Sequence, residues 1–451
     1  MKIAIVGSGI SGLAVAHTLR GQAELTLFEA GDYFGGHTHT VDLTLDGPNG
    51  PVTHGVDTGF LVFNERTYPQ FIKLLAELDV ATVKSDMSFS VQVPGARRGG
   101  PLEWSGSSLN TVFAQRGNLA NPRFLRMLRD VLRFNRLATA IAERRQEAEL
   151  MQPLTDFLRQ HDLSDEFRDW YFLPMLGCIW SCPTDQMLRF PVATMIRFCH
   201  NHGLLQVTNR PQWWTVAGGA RHYVDRIVAQ IGDKRLRTKV ERITRDAQGV
   251  LISSNGQTER FDKVVLASHS DQSLALLGDA SWLERKTLGA IRYQPNRAVL
   301  HTDSSVLPQE RRAWAAWNYQ RRTLAQGRQQ SASARQDEAR VCLHYLINKL
   351  QPLPFKQPVL VSLNPLGEID PSQIHASFDY AHPVFDVAAI HAQGQLPKLQ
   401  GQQHSYFCGA WTGYGFHEDG LKSGLDVAAR LQTLLASPAA IPMPTPARLA
   451  A

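Results

Sequence analysis

A chain of 451 residues with 43% hydrophobic and 20% charged residues is globular, too long for one ordinary domain, and large enough to enclose a sizeable cofactor. Its 47 basic against 41 acidic residues leave a net charge of +6, too modest and too little interleaved with aromatics to indicate nucleic acid. Five cysteines (Cys178, Cys182, Cys199, Cys342, Cys408) make no disulfide framework and suit a reducing, cytoplasmic setting, and no stretch reaches the roughly 18 apolar residues of a membrane span.

Residues 2–6 read as a buried strand, Gly7 to Gly12 as a tight turn and Leu13 to Arg20 as a helix. Glycines interrupt the opening apolar run and no cleavage site follows, so it is not a signal peptide. Leu25 to Phe28 is a second strand, and the glycine-rich stretch Gly31 to Gly36 leads away from it. Residues 66–80 predict an amphipathic helix, and 109–200 are mostly helical, an inserted helical subdomain. Strand signals return at 240–245, 249–253 and 262–267, the last one buried, and again at 291–301 and 341–348. The Gln-, Arg-, Ala- and Ser-rich segment 320–338 reads as an exposed connection. Tyr406 to Cys408 is the last strand, Gly420 to Leu435 the last helix, and 437–451 a flexible tail.

Gly7-x-Gly9-x-x-Gly12 sits directly between a strand and a helix. The first glycine makes the turn, the second leaves room for a pyrophosphate, and the third lets the helix pack close. The helix N-terminus, with Ser11 in its first turn, then offers free N–H groups to the anion. Glu29 closes the second strand, where a carboxylate bonds ribose hydroxyls and repels a 2′-phosphate. A dinucleotide site follows, with NADP excluded.

Two further runs carry a resemblance. Gly35-Gly36-His37-Thr38 follows the acid, and the C-terminal part has Gly409-Ala410-Trp411-Thr412-Gly413 and Gly415-Phe416-His417-Glu418-Asp419-Gly420-Leu421-Lys422-Ser423-Gly424. The pairing resembles the flavin amine oxidase superfamily, which includes monoamine oxidases, carotenoid desaturases and protoporphyrinogen oxidases. Asp57-Thr58-Gly59-Phe60, Ile179-Trp180-Ser181-Cys182-Pro183 and Asn201-His202-Gly203-Leu204 are similar to a bacterial branch of predicted NAD/FAD-binding proteins. That branch also appears fused to plant cyclopropane fatty-acid synthases.

The resemblance implies an α/β fold: a Rossmann-like FAD-binding domain of glutathione-reductase type, with an inserted α+β substrate domain that includes the helical subdomain. Its expected parts are 1–75 with 216–280 and 402–436 for FAD, and 76–215 with 281–401 for substrate. It implies non-covalent FAD held by Gly7, Gly9, Ser11, Gly12, Glu29, Gly35, Gly36, His37, Thr38, Asp57 and Gly59. Val240 would meet the adenine, Ala267 and Ser268 the pyrophosphate, and Gly409, Ala410, Asp419, Gly420, Leu421 and Ser423 the ribityl chain and flavin.

The chain departs from that pattern. His37 stands where amine oxidases place an arginine, and the stretch Pro295 to His301 offers Arg297 where they place a lysine near the flavin. Arginine never deprotonates, so amine oxidation is weakened. Trp411, Tyr414, Tyr380 and Phe416 are candidates for the pocket wall, and Arg297, His417 and Glu418 for catalysis. Cys178-x-x-x-Cys182 and Cys199-His200-x-His202 match no common zinc spacing, and Cys408 reads as packing.

The reading is an FAD-dependent oxidase or desaturase that takes a hydride from a C–H bond of an apolar, fatty-acyl or lipid substrate, reoxidised by oxygen or another acceptor. The rivals are amine oxidation and a non-catalytic flavin-binding partner of a lipid-modifying enzyme. Arg123, Arg126, Arg129, Arg133 and Arg136 recur at helical spacing, either a solvated face or a surface for phospholipid headgroups at the inner face of a membrane.

Overall fold

The computed structural model describes residues 1–97, 99–144, 152–180, 184–206, 210–321 and 341–436. Ser181 to Pro183, most of the 320–338 connection and the 437–451 tail lie outside the described residues.

Five parallel strands form one sheet in the order Asp233–Arg235, Glu24–Phe28, Lys2–Val6, Lys263–Leu266, Ser405–Phe407. The first strand is apolar throughout because both of its faces are covered. Ile3 and Ile5 pack with the helices Ile10–Leu19, Arg221–Val228 and His417–Ala436, whereas Ala4 and Val6 pack with Ile243, Val250 and Phe261 of a three-stranded antiparallel sheet. This is the Rossmann-like layering, one sheet between two layers.

Close helix contact depends on glycines. A Cβ on Gly424 would stand 2.3 Å from the Ser11 carbonyl, so the first and last helices touch only because that atom is missing. Arg245, on the strand Val240–Asp246, is buried and meets Asp279 and Glu284, fastening the antiparallel sheet to the helix Trp282–Leu288.

The second half of the molecule is built on a seven-stranded sheet, ordered Ile374–Val384, Arg292–His301, Leu360–Leu363, Cys342–Leu346, Trp317–Gln320, Phe89–Arg97, Gly100–Ser105. The helices between 109 and 201 pack their apolar stripes with this sheet in a single core that includes Phe124, Phe134, Phe167, Phe172 and Phe198. The expected helical subdomain is therefore a layer on a sheet. A hairpin, Thr40–Gly47 with Gly50–Asp57, and a small sheet of Phe63–Asn64, Trp213–Val216 and Thr82–Ser85 join the halves.

Candidate active site

A cavity of about 790 Å³ runs from the glycine turn to the seven-stranded sheet. Such a volume belongs to a large ligand. Gly7, Gly9, Ser11, Glu29, Gly35, Gly36, His37, Thr38, Gly59, Val240, Ala267, Ser268, Gly409, Ala410 and His417 all stand in its wall. Residues far apart in sequence are thus brought to one cavity.

The turn itself is shaped for a ligand rather than for packing. Gly7 has φ +103°, and a Cβ there would sit 2.9 Å from the Ala267 carbonyl oxygen. Gly9 precedes the first helical residue, and a Cβ on it would meet no atom within 4 Å. That space lies before the free N–H groups of the first helical turn, which attract an anion. Glu29 holds its carboxylate beside the turn, accepting from the Ser8 and Gly31 backbone N–H groups at 3.1 and 2.8 Å.

His37 adds a second feature of the same kind. Its ring is buried, and Nε2 has no partner among the described residues. Burial, then the nearby His269, push its pKa down to about 4, so the ring is neutral at pH 7. His269 and His382 stand 6.0 and 5.5 Å from it, centroid to centroid, and Tyr380 5.1 Å. Of these neighbours only Tyr380 was expected near the pocket; His269, at the start of the helix Ser270–Leu276, and His382, within the strand Ile374–Val384, carry no sequence signal. The open space at Gly9, the helix terminus, Glu29 and the orphaned His37 nitrogen fit the diphosphate and ribose of FAD.

His417 closes the next stretch of wall. Its ring stacks on Phe60 at 3.8 Å, and Nε2 lies 2.8 Å from the Tyr223 hydroxyl, which also bonds Thr38. Burial lowers its pKa to about 3.

Other expected residues lie behind the wall. Gly12 packs the helix: a Cβ there would stand 2.0 Å from the Gly7 carbonyl oxygen. Asp419 accepts from the Tyr414 and Phe416 backbone at 3.0 Å, and the Ser423 hydroxyl accepts from Gly409 N–H at 2.9 Å, so both shape the loop that forms the wall. Gly420 faces Ile10 and Ser11 at the helix contact, and Leu421 is in the core.

Three expectations are corrected. Asp57 does not reach the cavity; it is fully buried and joins Thr40, the Ala220 N–H and Gln351. Burial raises its carboxyl to about 7 against those hydrogen bonds. Arg297 is exposed on the outer face of its strand, while the next residue, Ala298, is the one in the cavity wall. Successive strand residues face opposite ways, so a catalytic role is closed to Arg297. Glu418 is buried against the helix Pro69–Glu77, accepting from Gln70 and Phe71 N–H at 3.0 Å each. It caps that helix and does not touch the cavity.

The far end of the cavity is apolar, walled by Met87, Ile179, Trp180, Phe198, Leu204, Trp317, Val361 and Leu363. Tyr380, Tyr414, Phe416 and Trp411, expected near the pocket, are all in the wall. The described cysteines, Cys178, Cys199, Cys342 and Cys408, are buried, and burial raises the Cys408 thiol far above its usual range. Among the described residues no three His, Cys, Asp or Glu side chains are grouped to hold a metal ion.

Comparison with known proteins agrees with this geometry. The chain is similar in fold to the cyclohexylamine oxidase from Brevibacterium oxydans IH-35A, at 16% identity and TM-score 0.66, covering 97% of this chain and 99% of the other. It is similar to the CLA-producing fatty acid isomerase from P. acnes at 16% identity and TM-score 0.64, covering 95% and 98%. A putrescine oxidase bound to putrescine shares 14% identity and a TM-score of 0.64, covering 96% and 99%. No curated protein matches the chain. The model of the flavin containing amine oxidoreductases matches residues 10–314, more than half of the length. The chain belongs to that family and is an FAD-dependent oxidoreductase.

Proposed function

We propose that this oxidoreductase takes a hydride from a C–H bond of an uncharged, apolar substrate of fatty-acyl or other lipid character. The observation that carries the reading is the charge distribution along the cavity. Among the described residues the acidic and lysine side chains in its wall are Glu29 and Lys239, both beside Thr238 and Val240 at the glycine-turn end. Among the described residues the apolar end has neither, and burial lowers His202 there to about 4, leaving it neutral. An ammonium there would lose its hydration with no counter-charge.

Bound FAD would supply a two-electron acceptor for the hydride, and oxygen or another acceptor would restore it. The chain's own part is positional. Gly7, Gly9 and the helix N-terminus receive the diphosphate, Glu29 the ribose, and the Gly409–Phe416 loop the flavin side. The aromatic end excludes water and holds the reacting carbon in place.

The fold neighbours include enzymes named for amines and one named for a fatty acid, so fold alone favours neither. The motif resemblance to the branch fused to cyclopropane fatty-acid synthases supports the lipid side, with a lipid-modifying enzyme as a partner. Anaerobic titration of the holoenzyme tests the choice. Oleic acid esters and other apolar compounds are expected to bleach the flavin, and cyclohexylamine and putrescine to leave it oxidised. Bleaching by the amines alone would sink this reading.

The same reading supports contact with an anionic membrane through the helix Pro122–Glu143. Arg123 and Arg126 meet Glu166, and Arg133 meets the buried Asp130. Leu125 and Leu132, exposed by 43% and 50%, share the outer face with Arg129 and Arg136. No described helix is long and apolar enough to cross a membrane, so contact would be peripheral. Flotation with phosphatidylglycerol vesicles is expected at low salt, with release at high salt. The double change Leu125→Ser, Leu132→Ser should weaken it by roughly tenfold or more. Equal flotation of both proteins, or none at low salt, would remove the idea.

A further inference from the structure

We propose that His202 is the proton acceptor of the apolar chamber, and that the substrate carries a hydroxyl on the carbon whose C–H bond is broken. The inference rests on the apolar-substrate reading above and narrows it.

The helix Val192–Asn201 ends at His202 because Gly203 follows in the left-handed region, φ +67°. The ring folds back on its own helix, stacking on Phe198 at 3.9 Å, and Phe416 stands 5.5 Å away. Nδ1 lies 3.0 Å from the Phe198 carbonyl oxygen. A carbonyl only accepts, so Nδ1 carries the hydrogen and Nε2 the lone pair. Burial lowers the pKa to about 4, with the Arg66 charge adding to it, so the acceptor form prevails at neutral pH. Nε2 has no partner among the described residues, and His202 is in the cavity wall.

Among the described residues the indole N–H groups of Trp180 and Trp317 in the same wall are also without a partner, but they are donors, and the other nitrogen and hydroxyl acceptors nearby are engaged. His417 Nε2 meets Tyr223, His382 Nδ1 meets Asn296, and the Tyr380 hydroxyl meets Thr58 and His39. A lone pair facing an apolar chamber costs free energy until a donor meets it. A hydrocarbon has no donor, and a carboxylate only accepts, would repel the lone pair, and would find two neutral indole donors but no lysine or arginine in that part of the wall among the described residues. An ammonium would lack a counter-ion. A hydroxyl satisfies the nitrogen without bringing charge.

The chemistry then balances. The C–H bond breaks with its electron pair leaving as hydride to FAD, which is reduced by two electrons. The O–H bond breaks as the C=O bond forms, and its proton goes to Nε2. The hydroxyl becomes strongly acidic as the hydride departs, so a weak base suffices. The carbonyl product leaves, the proton passes to water, and oxygen or another acceptor reoxidises the flavin.

The test uses the holoenzyme with 2-octanol and octane as probes, binding being followed by flavin fluorescence under anaerobic conditions. The unmodified protein is expected to bind 2-octanol at least about tenfold more tightly than octane, and His202→Phe to bind the two alike. His202→Gln, with flavin content unchanged, should slow bleaching by 2-octanol by about 100-fold or more. Equal binding of the two probes by the unmodified protein would overturn the inference and leave the apolar-substrate reading standing. So would alcohol binding without bleaching, or bleaching that His202→Gln does not slow. Failure to bind either probe would defeat the broader reading as well. Should His202→Phe fail to fold, the preference shown by the unmodified protein still decides.

Discussion

Gly9→Val is expected to give a folded protein that purifies colourless. Gly9 has φ −64°, which valine tolerates, and a Cβ there has no neighbour within 4 Å. The added atoms enter only the space in front of the first helix, where the diphosphate of FAD would lie against free N–H groups. Affinity for FAD should fall by at least about 100-fold, about 2.8 kcal/mol, with thermal stability of the flavin-free form unchanged. Gly12→Ala makes the opposite case, because its Cβ would stand 2.0 Å from the Gly7 carbonyl oxygen. It should lower the stability of the flavin-free chain itself. Calorimetric FAD titration and thermal unfolding of both variants separate the two effects. Normal flavin binding by Gly9→Val would contradict the placement of the diphosphate.

The contrast between these glycines was legible in the motif, because each spacing answers a local steric demand. The parallel strands were legible for a similar reason: Lys2–Val6, Glu24–Phe28 and Lys263–Leu266 are buried on both faces and read as apolar runs. The hairpin Thr40–Asp57 was missed because its strands mix buried and exposed positions and hold no apolar run. The strands Phe89–Arg97, Gly100–Ser105 and Ile374–Val384 were missed likewise, their neighbours in the sheet lying far away in sequence.

Site residues failed where the deciding fact was an orientation or a distant partner. Motif transfer reached the strand that carries Arg297, yet a displacement of one residue sends a side chain to the other face, and Ala298 took the inner position. Glu418 stands in a run that reads as chemistry, but its oxygens meet N–H groups of Gln70 and Phe71, which no local pattern announces. His269 and His382 are invisible as a group until two sheets bring them to His37. His202 was in view only within the Asn201-His202-Gly203-Leu204 run and a spacing that suits no zinc; the tautomer that Phe198 imposes needed the folded helix end.

The histidines of the wall predict an acid-labile protein. Burial lowers His37, His202 and His269 to about 4 and His382 and His417 to about 3, with neighbouring imidazoles adding to the shift in four of them. An unfolded histidine titrates near 6.5. Below that pH the unfolded chain takes up protons that the folded wall refuses, so stability is full above about pH 6.5 and is lost as pH falls toward the folded values. Each such group costs about 2 kcal/mol at pH 5, and together they rival the whole stability of a typical domain. The flavin-free protein should therefore lose roughly 10 °C or more in Tm between pH 7 and pH 5. The holoenzyme should lose less, because an anionic diphosphate beside His37 favours its charged form. Replacing His37, His269 and His382 together with glutamine removes three of the titrating groups and should flatten the dependence. Thermal unfolding at matched ionic strength checks this, and an equally steep fall in the triple variant would show that the acid lability lies elsewhere in the chain.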